Sequence, residues 1–85
     1  DNDKHAVFVG DEPCELTFKE YELLKYLMIN AGIVLSRDKI MDQVWGFEYE
    51  GESRTVDMHI KTLRQKLGAA GSCIKTIRYN RFMMT

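Results

Sequence analysis

One amphipathic stretch, residues 53–68, constrains the fold more than any other part of this chain. Its apolar residues recur at spacings of four, three and four, which places them on one side of an α-helix: Val56, Ile60, Leu63 and Leu67. Ser53 is a favourable N-cap and Gly68 a favourable helix stop. The opposite side is mostly polar and basic, with Arg54, Thr55, Met58, Lys61, Thr62 and Gln65, flanked by Arg64 and Lys66. The stretch therefore predicts either a solvated surface helix or a helix that lies in a nucleic-acid groove.

The distribution of charge favours the second alternative. The formal net charge of the 85 residues is −1. Residues 1–52 hold five Lys/Arg against twelve Asp/Glu, a balance of −7, whereas residues 53–85 hold seven against one, a balance of +6. A basic stripe on a nearly neutral domain is the electrostatic footprint of phosphate binding. An acidic protein could also face this half, so a protein-interaction module remains a second possibility.

Length and composition exclude several other classes. The chain is long enough for one domain with one modest core, and its 45% hydrophobic content is typical of a folded protein. No apolar run approaches the roughly 20 residues that cross a bilayer, and the first residues do not form a signal peptide, so we expect a cytoplasmic protein. Cys14 and Cys73 are too few for a disulfide scaffold or zinc knuckle and are expected to be small buried residues in a reducing compartment.

Enzyme chemistry has no support in the sequence. The chain contains neither a glycine-rich phosphate loop nor a set of nucleophile, base and orienting residue. His5 and His59 are its two histidines, and neither has a cysteine pair nearby, so we expect no metal site and no cofactor.

The first half of the chain predicts a hairpin and two helices. Residues 6–9 and 14–16 favour a small antiparallel hairpin with a turn at 10–13. Thr17 and Glu20 form a capping-box signature for a helix that ends near residue 30. Its predicted inner face consists of Tyr21, Leu23, Leu24, Leu27 and Met28. After a short extended link at 33–35, Ser36 caps a second helix, whose predicted inner face is Ile40, Met41, Val44 and Trp45.

The second half completes a winged helix-turn-helix. Residues 46–52 are acidic and aromatic with a glycine near each end, and they form an enlarged turn before the basic helix. Residues 73–78 and 82–84 favour two strands, in which Ile74 and Ile77 offer apolar surface, with the hairpin tip at 79–81. The predicted fold class is α+β, with a small N-terminal antiparallel sheet, three helices and a C-terminal β-hairpin wing.

Five motifs in this order and spacing are familiar. They are LTFKEYELL at 16–24, LSRDKI at 35–40, VWG at 44–46, RTVDMHI at 54–60 and IKTIR at 74–78. Through them, residues 6–84 resemble the winged-helix DNA-binding effector domain of OmpR/PhoB-type bacterial response regulators. The resemblance implies transcription regulation in a two-component phosphorelay, with the third helix in the major groove of double-stranded DNA and the wing in the minor groove. It also implies side-by-side binding of two copies to a direct repeat, and a preceding receiver domain, so that residues 1–5 are a linker remnant and 6–85 the effector domain.

The same resemblance assigns roles to individual residues. Phosphate contacts are implied for Trp45, Arg54, His59, Lys61 and Arg64, and a backbone contact for Thr76. Base-facing positions are Thr55, Asp57, Met58 and Thr62, and the wing cation for the minor groove is Arg78. Thr62 departs from relatives that carry an arginine there to bind guanine through two bonds, so we expect a different base preference. The loop formed by Phe47, Glu48, Tyr49 and Glu50 matches a segment that contacts RNA polymerase, although an ordinary flexible loop is an equal alternative.

The wing tip departs most from the family pattern. Relatives typically have Gly-x-Gly-Tyr after the wing arginine, whereas this chain has Tyr79, Asn80, Arg81 and Phe82. Both turn glycines are absent, and Asn80 alone readily accepts a positive φ. Either the hairpin turns differently, with Arg81 as a new minor-groove cation, or the strands pair with a second molecule in a strand-swapped dimer. A wing with impaired DNA readout would favour the protein-interaction alternative.

Overall fold

The computed structural model describes residues 4–46, 54–78 and 81–85. The elements are β1 (Lys4–Val9), β2 (Glu12–Thr17), α1 (Phe18–Ile29), β3 (Leu35–Ser36), α2 (Arg37–Ile40) with a π-helical turn (Met41–Trp45), α3 (Arg54–Leu67), a 3₁₀ segment (Gly68–Cys73), β4 (Ile74–Arg78) and β5 (Arg81–Met84). The strands form two antiparallel sheets, ordered β1-β2 and β3-β5-β4. This arrangement confirms the predicted α+β winged helix-turn-helix.

The N-terminal hairpin is longer than the sequence indicated. β1 and β2 pair antiparallel from Lys4 opposite Thr17 onward. The turn contains only Gly10 and Asp11, because the φ of +64° at Gly10 suits a two-residue connection. The four-residue turn predicted here therefore includes two residues of β2. Lys4 and His5, which we expected in the linker, instead lie in β1, where they extend the ladder.

The capping box at the start of α1 is confirmed. Thr17 Oγ1 accepts from the Glu20 backbone N–H at 3.3 Å, and Glu20 Oε1 accepts from the Thr17 N–H at 2.9 Å. Three leucines predicted on the inner face are buried, namely Leu23, Leu24 and Leu27. Met28 is 60% exposed, contrary to the prediction. It lies in the last turn of α1, where it lines an open apolar depression together with Phe8 instead of entering the core.

The second helix is short and changes character halfway. Ser36 caps α2 as predicted, since its Oγ accepts from the Lys39 N–H at 3.1 Å. Two of the residues predicted to face inward are buried, Ile40 and Met41. Val44 and Trp45, at the end of the π-helical turn, are only partly buried and pack against the outside of the core. A φ of +97° at Gly46 ends this turn.

The apolar stripe of α3 provides the centre of the core. All four predicted residues are at most 7% exposed, namely Val56, Ile60, Leu63 and Leu67. Gly68 has a φ of +61°, which confirms it as the helix stop. The 3₁₀ segment then packs against the α3 backbone, and a Cβ on Gly71 would lie 2.3 Å from Arg64 O. The predicted cap Ser53 lies outside the described residues.

The wing strands pair with each other within the chain. β5 is the central strand, with Leu35 of β3 opposite Phe82 on one side and β4 on the other. The β4–β5 ladder shifts register between Thr76 and Arg78, so Ile77 has no regular partner in it, and Ile77 is 41% exposed whereas Ile74 is buried. The strand-swapped dimer that the sequence left open stays a prediction. The predicted tip residues 79 and 80 lie outside the described ranges.

The two cysteines are free thiols. Cys14 is buried as predicted, and its Sγ donates to Lys66 O at 3.1 Å. Cys73 is only partly buried, at the edge of the core. In the part of the chain that the structure describes, no helix has the length and apolar character needed to cross a membrane.

Candidate nucleic-acid interface

The exposed side of α3 presents mixed polar and apolar groups. Because the apolar stripe is buried, three of the predicted base-facing residues, Thr55, Met58 and Thr62, lie on the other side of the helix. Met58 is 70% exposed and Lys61 is exposed, whereas Thr55 and Thr62 are partly buried. Arg54 is the first residue of α3. The structure thus brings the predicted contact residues of α3 onto one helix, and their individual roles stay predictions.

Arg64 joins α3 to the wing. Its Nε donates to Ile74 O at 2.9 Å, and its Nη2 donates to Thr76 Oγ1 at 2.7 Å. Both Arg64 and Thr76 were predicted to contact phosphates, and the structure shows them bonded to each other. Burial lowers the pKa of the Arg64 guanidinium from its ordinary value, but the group stays charged at neutral pH. Arg64 therefore fixes the position of β4 relative to α3.

Lys66, on the flank of the basic side of α3, forms an ion pair within the domain. Its Nζ donates to Glu20 Oε1 at 2.6 Å, and the Glu20 side chain is only 5% exposed. Burial raises the pKa of Glu20, but the hydrogen bonds from Lys66 and from the Thr17 backbone, with the charge of Lys66, lower it below its ordinary value overall. This pair ties the end of α3 to the start of α1.

Asp57 is held by a residue of α2. Arg37 Nη1 lies 2.7 Å from Asp57 Oδ2 in an ion pair. Asp57 Oδ1 is buried and has no hydrogen-bond partner among the described residues. The carboxylate is therefore turned toward α2, and the structure does not present it freely to a base edge as the resemblance implied.

Trp45 and His59 form an aromatic contact beside α3. Their ring centroids are 4.9 Å apart in an edge-to-face arrangement. His59 Nδ1 lies 2.9 Å from Thr55 O, and because a carbonyl only accepts, Nδ1 carries the proton. Lys19 donates to Val44 O at 2.8 Å, and its Nζ lies 5.8 Å from the Trp45 ring centroid. The two predicted phosphate contacts are thus neighbours, and a cation of α1 lies close to them.

The wing places two cations next to each other. Arg78 and Arg81 are opposite one another in the β4–β5 ladder, and both are exposed. Like charges directly opposite in a sheet repel and destabilise the pairing. A bound polyanion relieves that repulsion, so this end of the wing is suited to a DNA backbone or minor groove.

Sequence reasoning missed two of these residues. Arg37 and Lys19 received no role, because their partners Asp57 and Val44 lie 20 and 25 positions away in sequence. A weak signal for Arg37 existed, since Asp57 is the one acid in an otherwise basic helix. The predicted polymerase-contact loop, residues 47–50, lies outside the described residues. Within the described ranges, no cluster of His, Cys, Asp or Glu could hold a metal ion.

A helix-turn-helix with an outward polar face on its second helix, joined to a cationic β-hairpin, defines a winged-helix DNA-binding domain. Residues 11–82 match the family profile described as "Transcriptional regulatory protein, C terminal". The chain belongs to this family and is an effector domain of the OmpR/PhoB type.

Relatives and solved structures agree with this assignment. The chain is 48% identical over 67 residues to the sensory transduction protein RegX3 of Mycolicibacterium smegmatis, which covers 79% of the chain and 29% of the relative. It is 44% identical over 72 residues to the transcriptional regulatory protein SrrA of Staphylococcus aureus, which covers 85% of the chain and 30% of the relative. The chain therefore spans less than a third of the length of these relatives.

A solved DNA complex has the same fold. The DNA-binding domain of RstA from Klebsiella pneumoniae, crystallised with the RstA box, is 31% identical and superimposes with a TM-score of 0.80. The likeness covers 94% of this chain and 82% of that domain. The winged-helix class of this chain is thus shared with a DNA-binding domain that was solved in complex with the RstA box.

Proposed function

We propose that this domain binds double-stranded DNA at specific sequences and regulates transcription as the output part of a two-component response regulator in the bacterial cytoplasm. The single observation that carries the proposal is the outward face of α3, where Met58 is 70% exposed and Lys61 is exposed, next to a wing fastened by Arg64. α3 enters the major groove, where Thr55, Met58 and Thr62 select bases. The mechanism is binding, and no catalytic step is required.

Phosphate contacts position the helix. Arg54 and Lys61 anchor α3 to the DNA backbone, assisted by the Trp45–His59 pair. Arg64 contributes by holding the wing against α3, and its remaining N–H groups extend to phosphate. Phosphate contacts carry little sequence information but provide most of the affinity and make it depend on salt.

The wing contacts the minor groove. Arg78 and Arg81 stand opposite each other in the ladder, and the negative potential of a narrow minor groove compensates their repulsion. Arg81 replaces a position where the family typically has glycine, so this chain has one more cation at the end of the wing.

Two copies bind side by side on a direct repeat. One domain of this size contacts few base pairs, and a second copy on the adjacent half-site raises the overall affinity through effective concentration. The RstA structure, in which the domain is bound to the RstA box, supports duplex DNA as the ligand. A receiver domain that precedes this segment would supply regulation by phosphorylation, consistent with the greater length of RegX3 and SrrA.

Lys61→Ala tests the placement of α3. The variant should bind every duplex more weakly, and the slope of log affinity against log salt should become shallower by about one unit. Lys25→Ala removes an exposed charge from α1 and serves as the matched control, with a much smaller change in slope. An unchanged slope in Lys61→Ala would show that α3 does not face the phosphates.

Thr62→Val should alter base preference more than affinity.

The loop of residues 47–50 contacts RNA polymerase in this proposal. Two glutamates make it unsuitable for phosphates, and its two aromatic rings suit a protein surface. Replacing Glu48 and Glu50 by Gln should leave duplex affinity nearly constant and reduce activated transcription in a reconstituted assay. Equal transcription by both proteins would exclude the polymerase contact.

A further inference from the structure

One ion pair ties the two helices of the helix-turn-helix together. Arg37 is the first residue of α2, and Asp57 lies in the first turn of α3. Arg37 Nη1 donates to Asp57 Oδ2 at 2.7 Å. The side chains are 27% and 41% exposed respectively, so the pair lies at the surface of the junction and not in the core.

Stability is a poor explanation for this pair. Surface ion pairs contribute little to the free energy of unfolding. In addition, Arg37 Nε and Asp57 Oδ1 are both buried without a hydrogen-bond partner among the described residues, and buried polar atoms without partners oppose folding. The main effect of the pair is therefore on the charge of the α3 surface.

The pair changes the electrostatic character of that surface. Asp57 is the one acidic residue of α3, between Arg54 on one side and Lys61 on the other. An uncompensated carboxylate in the first turn would repel phosphates approaching the outward face. The Arg37 guanidinium compensates this charge and also holds Oδ2, while Oδ1 is buried, so the carboxylate is not offered to a base.

We propose that Arg37 is a positioning residue for the recognition helix, which holds the Asp57 carboxylate against α2 and compensates its charge where α3 meets DNA. The inference rests on the proposed function, since it concerns the same DNA face. Asp57 thereby acts through its link to Arg37 and reads no base, in contrast to the role that the family resemblance implied for it.

The test is a double-mutant cycle on DNA binding. Affinity for a selected duplex and for unrelated duplexes is measured for the wild type, Arg37→Met, Asp57→Asn and the double variant, at a temperature where thermal unfolding shows each to be folded. Lys39→Met, alone and combined with Asp57→Asn, is the matched control, because it removes the same charge from the same helix and leaves the pair intact. Arg37→Lys retains the charge without the planar fork.

We expect Arg37→Met to weaken binding about tenfold on all sequences. Adding Asp57→Asn should then restore most of the affinity, whereas the same change in the Lys39→Met protein should restore much less. Arg37→Lys should be intermediate. A merely structural role would instead lower the unfolding temperature in the double variant without restoring DNA affinity.

Two results would overturn the inference while the proposed function stands. In the first, the gain from Asp57→Asn is the same in the Arg37→Met and Lys39→Met proteins. In the second, Asp57→Asn alone changes the preference at a single base position, which would make Asp57 a base reader. Wild-type protein without salt-dependent duplex binding would instead refute the proposed function, and the inference with it.

Discussion

Arg64 binds the wing at two points, through Nε to Ile74 O at 2.9 Å and through Nη2 to Thr76 Oγ1 at 2.7 Å. The guanidinium is planar, so both bonds constrain the angle between α3 and β4 at the same time. If α3 enters the major groove and the wing the minor groove, as proposed, both can bind one duplex only while that angle is kept. We therefore predict that Arg64 has a structural part in DNA binding in addition to its charge.

Arg64→Lys separates these two parts. The variant keeps the charge but cannot make both hydrogen bonds, so we expect faster amide hydrogen exchange in β4 and about 1 kcal/mol lower free energy of unfolding. DNA affinity should fall although the net charge is unchanged. Gln65→Lys adds a positive charge at the exposed neighbouring position, and it shows how DNA affinity responds to charge alone. If the amide hydrogens of β4 exchange as slowly in the Arg64→Lys variant as in the wild type, Arg64 does not hold β4 in place.

Gly71→Ala should destabilise the domain. A Cβ at this position would lie 2.3 Å from Arg64 O and 2.9 Å from Arg64 Cα, which are backbone atoms that cannot rotate away. The 3₁₀ segment must shift from α3, at a cost of about 1–3 kcal/mol, to be measured by urea unfolding. Ala69→Ser, at an exposed position of the same segment, should change the free energy of unfolding by less than about 0.5 kcal/mol. Equal stability of the two variants would show that the 3₁₀ segment packs differently.

Glu20 makes the stability depend on pH in the acid range. Burial alone would raise the pKa of its carboxyl, but bonds from Lys66 and the Thr17 backbone lower it below the ordinary value of 4.5. A lowered folded-state pKa stabilises the protein above the unfolded-state value, and this stabilisation is lost as the pH falls through the folded-state value. The domain should therefore lose stability as the pH falls below the ordinary carboxyl value of 4.5 and through the lower folded-state pKa of Glu20.

Glu20→Gln isolates this contribution. The variant should be less stable than the wild type at pH 7, by roughly 1 kcal/mol, and its free energy of unfolding should change less between pH 5 and pH 3. Glu22→Gln makes the same chemical change on the same helix and controls for the loss of one carboxylate. An acid-range slope as steep in Glu20→Gln as in the wild type would exclude Glu20 as its source.

Arg81→Gln should have opposite effects on folding and on DNA binding. Removing one of two opposed cations relieves repulsion in the wing, so the free protein should gain up to about 0.5 kcal/mol. Binding to duplex DNA should weaken, with a salt slope shallower by about one unit. Lys75→Gln, opposite Met83 in the same ladder, should not stabilise the free protein. Stabilisation of Arg81→Gln without any loss of affinity would exclude the wing end from the DNA interface.

The parts of the fold set by local chemistry could be predicted from the sequence. The apolar stripe of α3 predicts its buried face because helical periodicity is a property of neighbouring residues. The capping box of Thr17 and Glu20 is likewise local. The error at Met28 arises because the periodicity continues past the point where other elements cover α1. The exposure of Ile77 could not be predicted, because the register shift at this point of the ladder depends on the partner strand.

The candidate site could be predicted only in part. The helical periodicity of α3 predicts which of its side chains point away from the core. Met58 and Lys61 are exposed, as expected. The partners of Asp57 and Arg64 could not be predicted, since each lies on a different element that only the tertiary fold brings near. An ion pair at Asp57 and two hydrogen bonds from Arg64 therefore changed the interpretation of these two predicted contact residues.

Selection of binding sites from a random duplex pool, repeated at low and moderate salt, tests the central claim most directly. If α3 and the wing form one DNA-binding surface, the pool should become enriched in a direct repeat, and affinity should fall steeply as salt increases. Salt-sensitive binding without an enriched sequence, or no binding, would contradict sequence-specific recognition. A protein partner for the basic face would then be the better explanation.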